Sequence, residues 1–81
     1  MVNNLPIAEY YVLDENTFVY RHKDWSESQG YGVLSALISM GSSCKAGMNL
    51  IIVGSTLQLL RRATKEDFGT FRLQVPPDFT D

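Results

Sequence analysis

The chain of 81 residues is long enough for one small domain and too short for two hydrophobic cores. Its apolar share of 44% and charged share of 20% are those of an ordinary globular protein, which excludes a disordered chain. The formal charge of −2, with seven Lys and Arg against nine Asp and Glu, disfavours nucleic acid as a partner, because phosphate binding requires a basic surface.

Three features of the sequence predict the cellular compartment of the protein. Residues 1–6 lack the basic start and apolar run of a signal peptide. The longest purely apolar run, residues 50–53, is far too short to span a membrane. The single cysteine, Cys44, excludes an internal disulfide and suits a reducing compartment. We therefore expect a cytoplasmic protein with no membrane association.

Two strand-like runs begin the ordered part of the chain. Residues 7–13 and 17–21 are dominated by aromatic and β-branched side chains, which are typical of strands. The residues between them, 14–16, are the turn formers Asp, Glu and Asn. Two strands joined by so short a polar link predict a β-hairpin.

The segment 28–40 supports two interpretations. Asp24 and Glu27 have the spacing of a helix capping box, and Gly41 stands where a helix C-terminus favours glycine. The apolar residues at helical spacing are Tyr31, Leu34, Leu37 and Ile38. Gly30 and Gly32 weaken a helix, and alternation over residues 33–40 also fits a strand. We predict a helix that becomes regular after Gly30.

A second hairpin is predicted in the C-terminal half. Residues 48–53 are apolar on both faces, which is typical of a central strand covered on two sides. Gly54 and Ser55 then supply a type II′ turn, and residues 56–60 return as the second strand.

The last predicted strand follows a polar connection. Residues 61–69 carry mixed charge and have room for one helical turn over 65–67. Residues 70–75 then alternate strictly, which directs Phe71, Leu73 and Val75 inward. Pro76 and Pro77 end this strand because neither ring nitrogen can donate a hydrogen bond.

These elements predict a single α+β domain over residues 1–81, with residues 1–5 and 77–81 as loose ends. The expected order is β-β-α-β-β-β, forming a small antiparallel sheet or partly open barrel of about five strands with one helix. A small all-β barrel is the alternative.

No group of residues has the composition of a catalytic or metal site. A thiol nucleophile at Cys44 requires a base within hydrogen-bonding reach, and nothing in the sequence brings His22, the single histidine, to it. The neighbouring carboxylates lie in predicted turns or caps, where they are solvated. No residues have metal-ligand spacing. We therefore predict no catalytic residue, no metal ligand and no cofactor.

Aromatic residues and one arginine pair are the most suggestive features for binding. Tyr10 and Tyr11 are adjacent in a strand, so one of the two lies off the core face. Tyrosine and tryptophan are enriched at protein interfaces, and arginine can grip carboxylates. The predicted binding residues are Tyr10, Tyr11, Trp25, Arg61 and Arg62.

The expected function is that of a small non-enzymatic interaction or regulatory module that binds itself or another protein. Self-association is favoured because so small a domain, without a disulfide or a metal, gains stability from a partner subunit. The alternative is a small-molecule-binding protein or small enzyme with a pocket at a subunit interface. The polar candidates for such a pocket are Tyr20, His22, Asp24 and Arg72.

Overall fold

A computed structural model describes residues 8–22, 25, 30–77 and 79 of the chain. The strands are β1 Ala8–Leu13, β2 Thr17–His22, β3 Tyr31–Ala36, β4 Asn49–Leu50 and β5 Leu60–Arg62, and the α-helix is α1 Lys65–Thr70. Short 3-10 segments lie at Ile38–Met40 and Gly54–Leu59. The strands form one antiparallel, open sheet in the order β4-β3-β2-β1-β5. The predicted α+β fold with about five antiparallel strands is therefore confirmed.

The first hairpin forms as predicted. β1 and β2 pair in a register that places Tyr10 opposite Tyr20. Asp14 and Glu15 have φ values of 52° and 57°, and the Asn16 N–H donates to the Leu13 carbonyl over 3.1 Å. Two consecutive residues in the left-handed region, enclosed by a hydrogen bond between the residues on either side, are typical of a type I′ turn. The twist of this turn matches the twist of the two strands in a hairpin.

The helix predicted over residues 28–40 is wrong, and the order β-β-α-β-β-β is wrong with it. Residues 31–36 form β3, which pairs with β2 and places Val33, only 2% exposed, opposite Val19. Pairing with β2 supplies ladder hydrogen bonds on both sides of a register shift between Phe18 and Val19, whereas Gly30 and Gly32 penalise a helix. The proposed cap residues Asp24 and Glu27 lie outside the described residues.

The predicted second hairpin is also wrong. β4 is only two residues long, and it lies at the edge of the sheet rather than at its centre. Gly54–Leu59 forms a 3-10 helix instead of a turn and a returning strand. Residues 60–62 form β5, which pairs with β1 at the outer edge of the first hairpin through three residue pairs. This long-range pairing takes the place of the predicted second hairpin.

The C-terminal region combines a confirmed helical turn with a strand that does not form. The helical turn predicted over residues 65–67 is present and extends to Thr70. The strand predicted over 70–75 is wrong, because Arg72 has a φ of 59° and turns the chain directly after α1. Phe71, Leu73 and Val75 nevertheless pack inward, as their alternation predicts.

The core lies in two clusters on opposite faces of the sheet. The first contains Val12, Phe18, Ala63, Phe68 and Phe71. The second contains Leu13, Val19, Val33 and Ile52. Consecutive residues of β1, Val12 and Leu13, thus belong to different clusters, as a pleated strand requires. The first face is covered by α1 and the residues after it, and the second is covered by the segment between β3 and β5.

None of the helices in the described part of the chain has the length and the apolar composition that crossing a bilayer requires.

Candidate interaction surface

The segment between β3 and β5 exposes an unusual number of large apolar side chains. Its exposed members, which we call the apolar surface, are Ile38, Met40, Met48, Ile51, Val53, Leu57 and Leu59. Ile38 is 72% exposed and Val53 is 64% exposed. The loop after Met40 and the 3-10 helix that carries Leu59 line the same small pocket, so these parts of the segment lie side by side.

This part of the chain is nearly free of charge. Residues 28–60 contain one charged residue, Lys45, while the other six basic residues and all nine acidic residues lie outside that range. In the sequence, the charge is therefore concentrated in residues 9–27, which include the first hairpin, and in residues 61–81, which include β5 and α1. Depletion of charge is the compositional mark of the buried centre of a protein interface.

The exposed apolar side chains of this segment add up to a large area. From the exposed fractions, the seven residues together expose on the order of 700 Å². Each partner in a standard protein interface buries roughly 800 Å². The summed exposure of these seven residues is therefore comparable with the area on one side of such an interface.

A small pocket of about 150 Å³ lies next to the apolar surface. Thr17 donates its hydroxyl proton to Asn16 Oδ1 over 2.8 Å, and Ser42 Oγ lies 2.8 Å from Thr17 Oγ1. Asn16 Nδ2 donates in turn to the Met40 carbonyl. These groups satisfy one another and hold the loop against the hairpin. The volume is below the roughly 300 Å³ at which ligand pockets begin.

The thiol and the imidazole considered as a catalytic pair lie apart. Cys44 borders the pocket beside Thr17, at the start of β2, and packs against the second cluster. His22 ends the same strand, roughly 16 Å further along at 3.3 Å per residue. Its ring packs on Trp25 at 4.8 Å, and its buried Nδ1 has no hydrogen-bond partner among the described residues.

Arg61, a predicted binding residue, makes its hydrogen bonds to other residues of the same chain. Its guanidinium donates to both oxygens of Glu15 over 2.7 and 2.9 Å. It also donates to both oxygens of Asp67 over 2.7 and 2.8 Å. This Arg61 brace, formed by Glu15, Arg61 and Asp67, ties the hairpin turn to β5 and α1. The Arg61 hydrogen bond holds the pKa of Asp67 at about 2 and lowers the pKa of Glu15.

Tyr10 and Trp25 pack into aromatic groups of the protein itself. The Tyr10 ring lies 5.3 Å from Phe68 and 6.0 Å from Phe79, next to the first cluster. Trp25 lies 5.4 Å from Tyr20, and its carbonyl accepts a hydrogen bond from Arg21 over 3.0 Å.

Tyr11 and Arg62 lie on the other face of the sheet. The Arg62 guanidinium stands 5.9 Å from the Tyr11 ring, and the Tyr11 ring meets Tyr31 edge-on at 5.7 Å. The Tyr11 hydroxyl donates to Glu9 over 2.8 Å. Burial and this hydrogen bond raise the pKa of Tyr11 to about 12. Because Tyr10 and Arg61 belong to one face and Tyr11 and Arg62 to the other, the predicted residues do not converge.

The apolar surface was missed by sequence reasoning, although its signal was present. The nearly uncharged stretch of residues 28–60 is visible in the sequence. Residues 48–53 were interpreted as a strand covered on both sides, which assigned their side chains to this chain's own core. Ile51 is instead 61% exposed.

Comparison with known proteins identifies no relative: no family model matches the chain, and no curated protein or solved structure is significantly similar to it. Among the described residues, no three His, Cys, Asp or Glu side chains converge to hold a metal ion.

Proposed function

We propose that this protein is a non-enzymatic interaction module that self-associates by burying the apolar surface against a second copy of itself. One observation carries the proposal: seven large apolar side chains are exposed within a segment whose only charge is Lys45. Water is a poor solvent for such a surface, and covering it is the main favourable contribution to protein association.

A second copy is the partner that these features favour. Most soluble oligomers are symmetric, and in a two-fold dimer the same patch meets itself. A patch that carries charge then brings like charges together, which disfavours association. The apolar surface avoids this repulsion, since its seven side chains are uncharged. Its area of about 700 Å² is also close to the roughly 800 Å² that each subunit contributes to a standard interface.

The domain itself is small enough to benefit from association. A chain of this length buries only about 60–65% of the surface exposed by its unfolded form. Cys44 is free, so no disulfide stabilises the chain internally. Burying the apolar surface would therefore stabilise the fold as well as the assembly.

Light scattering after size exclusion tests the proposal. The native chain is expected to have twice the 9.1 kDa mass of one copy. The variant Ile38→Ser/Ile51→Ser/Leu57→Ser removes three exposed apolar side chains and is expected to be a monomer that keeps its circular dichroism spectrum.

A matched control changes the same segments without changing their apolar area. Ser39 and Gln58 are both exposed, so Ser39→Asn/Gln58→Asn should leave the dimer intact. A native chain that stays monomeric throughout the micromolar range would overturn the proposal. Equal weakening of the dimer by the control and the triple variant would do the same.

A further inference from the structure

We infer that the second copy joins at β4, so that the edges of two sheets pair antiparallel about a two-fold axis with Ile51 opposite Ile51. This inference rests on the proposed self-association and specifies its geometry. The result is one continuous sheet of ten strands, because each copy contributes the five strands of its own sheet.

The β4 edge is short within one copy for a reason that the structure shows. Pairing between β3 and β4 stops at Tyr31 and Leu50. The residue before Tyr31 is Gly30, which is buried with a φ of 68°, and the Leu50 carbonyl oxygen occupies the place where a side chain on Gly30 would project. β3 thus begins at Tyr31 and offers no partner beyond Leu50, while Val53, three residues further along, has the extended φ of −141° and ψ of 166° that a strand adopts.

The direction of the backbone groups identifies the residue that faces outward. The Met48 carbonyl accepts a hydrogen bond from the Val33 N–H of β3 over 2.8 Å. Leu50, two residues further along, lies opposite Tyr31, so its backbone groups also face β3. Backbone groups alternate along an antiparallel strand, so those of Ile51 point away from β3. Among the described residues, the Ile51 backbone has no backbone partner.

The two edges of the sheet differ in the protection that they carry. β5, at the far edge, contains Arg61 and Arg62, and charged side chains on an edge strand prevent pairing with another chain. Residues 46–60 contain no charge, and Ile51 and Val53 are both more than half exposed. An apolar edge without charge is where a second strand adds most readily.

Pairing a segment with itself also satisfies two-fold symmetry. With Ile51 on the axis, the two Ile51 residues exchange both of their backbone hydrogen bonds, and Leu50 lies opposite Ile52 of the second copy. Cross-strand pairs of β-branched residues stabilise such a ladder. No like charges are brought together by this register, because none lies within residues 46–60.

Disulfide formation between single introduced cysteines tests the register. The experiment uses the full chain with Cys44→Ala, so that the native thiol is removed. Hydrogen-bonded residues on antiparallel strands have Cα atoms about 5.5 Å apart, within the roughly 4.4–6.8 Å that a disulfide spans. Ile51→Cys is therefore expected to give a covalent dimer on mild oxidation.

Val53→Cys is the matched control, because its 64% exposure is close to the 61% of Ile51. In this register the two copies of residue 53 lie roughly 13 Å apart, too far for a disulfide. Ile38→Cys, on the apolar surface but off the edge, serves as a second reference. Both are expected to cross-link at least ten times more slowly than Ile51→Cys.

The outcomes separate this inference from the function on which it rests. Dimers by light scattering that cross-link at residue 38 or 53 as fast as at residue 51 would overturn the edge pairing and leave self-association standing. A native chain that is monomeric by light scattering would overturn both. Selective cross-linking at residue 51, with circular dichroism unchanged by the substitution, would support both.

Discussion

Arg61 and Asp67 form a two-point ion pair, with Nη1 2.7 Å from Oδ2 and Nη2 2.8 Å from Oδ1, that fastens β5 to the first turn of α1. The same carboxylate accepts hydrogen bonds from the Thr64 N–H and the Thr64 hydroxyl at the start of the helix. Asp67 thus caps the helix and anchors it to the sheet at once. Its side chain is 12% exposed, whereas that of Arg61 is 40% exposed.

Stability should fall in acid as Asp67 takes up a proton. Its pKa is lowered from 3.8 to about 2 in the folded protein, so its contribution is fully present above pH 4 and is lost as the pH falls towards 2. Because Arg61 is partly solvated, we expect this contribution to be roughly 1–2 kcal/mol. Urea unfolding of the native chain and Asp67→Asn between pH 2 and pH 5 measures it. An unchanged pH dependence in Asp67→Asn would contradict the assignment.

Glu15 combines a favourable ion pair with an unfavourable backbone conformation. Its φ is 57°, a region that costs a residue with a side chain about 1 kcal/mol more than glycine. Glu15→Ala and Glu15→Gly both remove the contact to Arg61, but only the glycine relieves the strain. We expect Glu15→Gly to be more stable than Glu15→Ala by about 0.5–1 kcal/mol in urea unfolding. Equal stability of the two variants would show that the turn carries no such strain.

Gly32 is required by the position of the Tyr20 ring. A Cβ atom added at Gly32 would collide with Tyr20, whereas one added at Gly69 in α1 would meet no atom within 4 Å. Gly32→Ala should therefore destabilise the fold by about 1–3 kcal/mol. Gly69→Ala should stabilise it by about 0.5–1 kcal/mol, since alanine favours a helix. Thermal unfolding compares the two, and a neutral Gly32→Ala would contradict the packing of Tyr20 on β3.

Tyr11 should lose its proton at a higher pH than an ordinary tyrosine side chain does. Burial and the hydrogen bond to Glu9 raise its pKa from 10.0 to about 12. Ultraviolet absorbance of the phenolate should show a transition near pH 12 that Tyr11→Phe removes, and Glu9→Gln should shift this transition to lower pH. Because the folded state holds this proton more tightly, the associated stability is present below pH 10 and is lost as the pH rises towards 12. A transition near pH 12 that persists in Tyr11→Phe, or that Glu9→Gln leaves in place, would contradict the contact.

The first hairpin was predictable because its signals are local. Residues 7–13 and 17–21 have the composition of strands, and a three-residue polar link separates them. The brace that stabilises the turn was not predictable, since Glu15 and Arg61 are 46 positions apart in the sequence. The sequence predicts Arg61 as a binding residue because no local pattern reveals its contact with Glu15.

The segment around β3 shows why apolar spacing did not decide between helix and strand. Leu34, Leu37 and Ile38 fit a helical period, but the competing strand gains a partner in β2 that no local pattern reveals. The apolar residues 48–53 were predicted to be buried for a related reason. A sequence shows which side chains avoid water, but it does not show whether this chain or another one covers them.

The difference in charge between the β4 edge and the β5 edge would also limit the size of the proposed assembly. In the proposed dimer, pairing at β4 would occupy that edge in both copies, and the arginines of β5 would lie at both outer ends of the joined sheet. A third copy would then find no uncharged strand on which to add. Growth of the proposed sheet would stop at two subunits instead of continuing into a fibre.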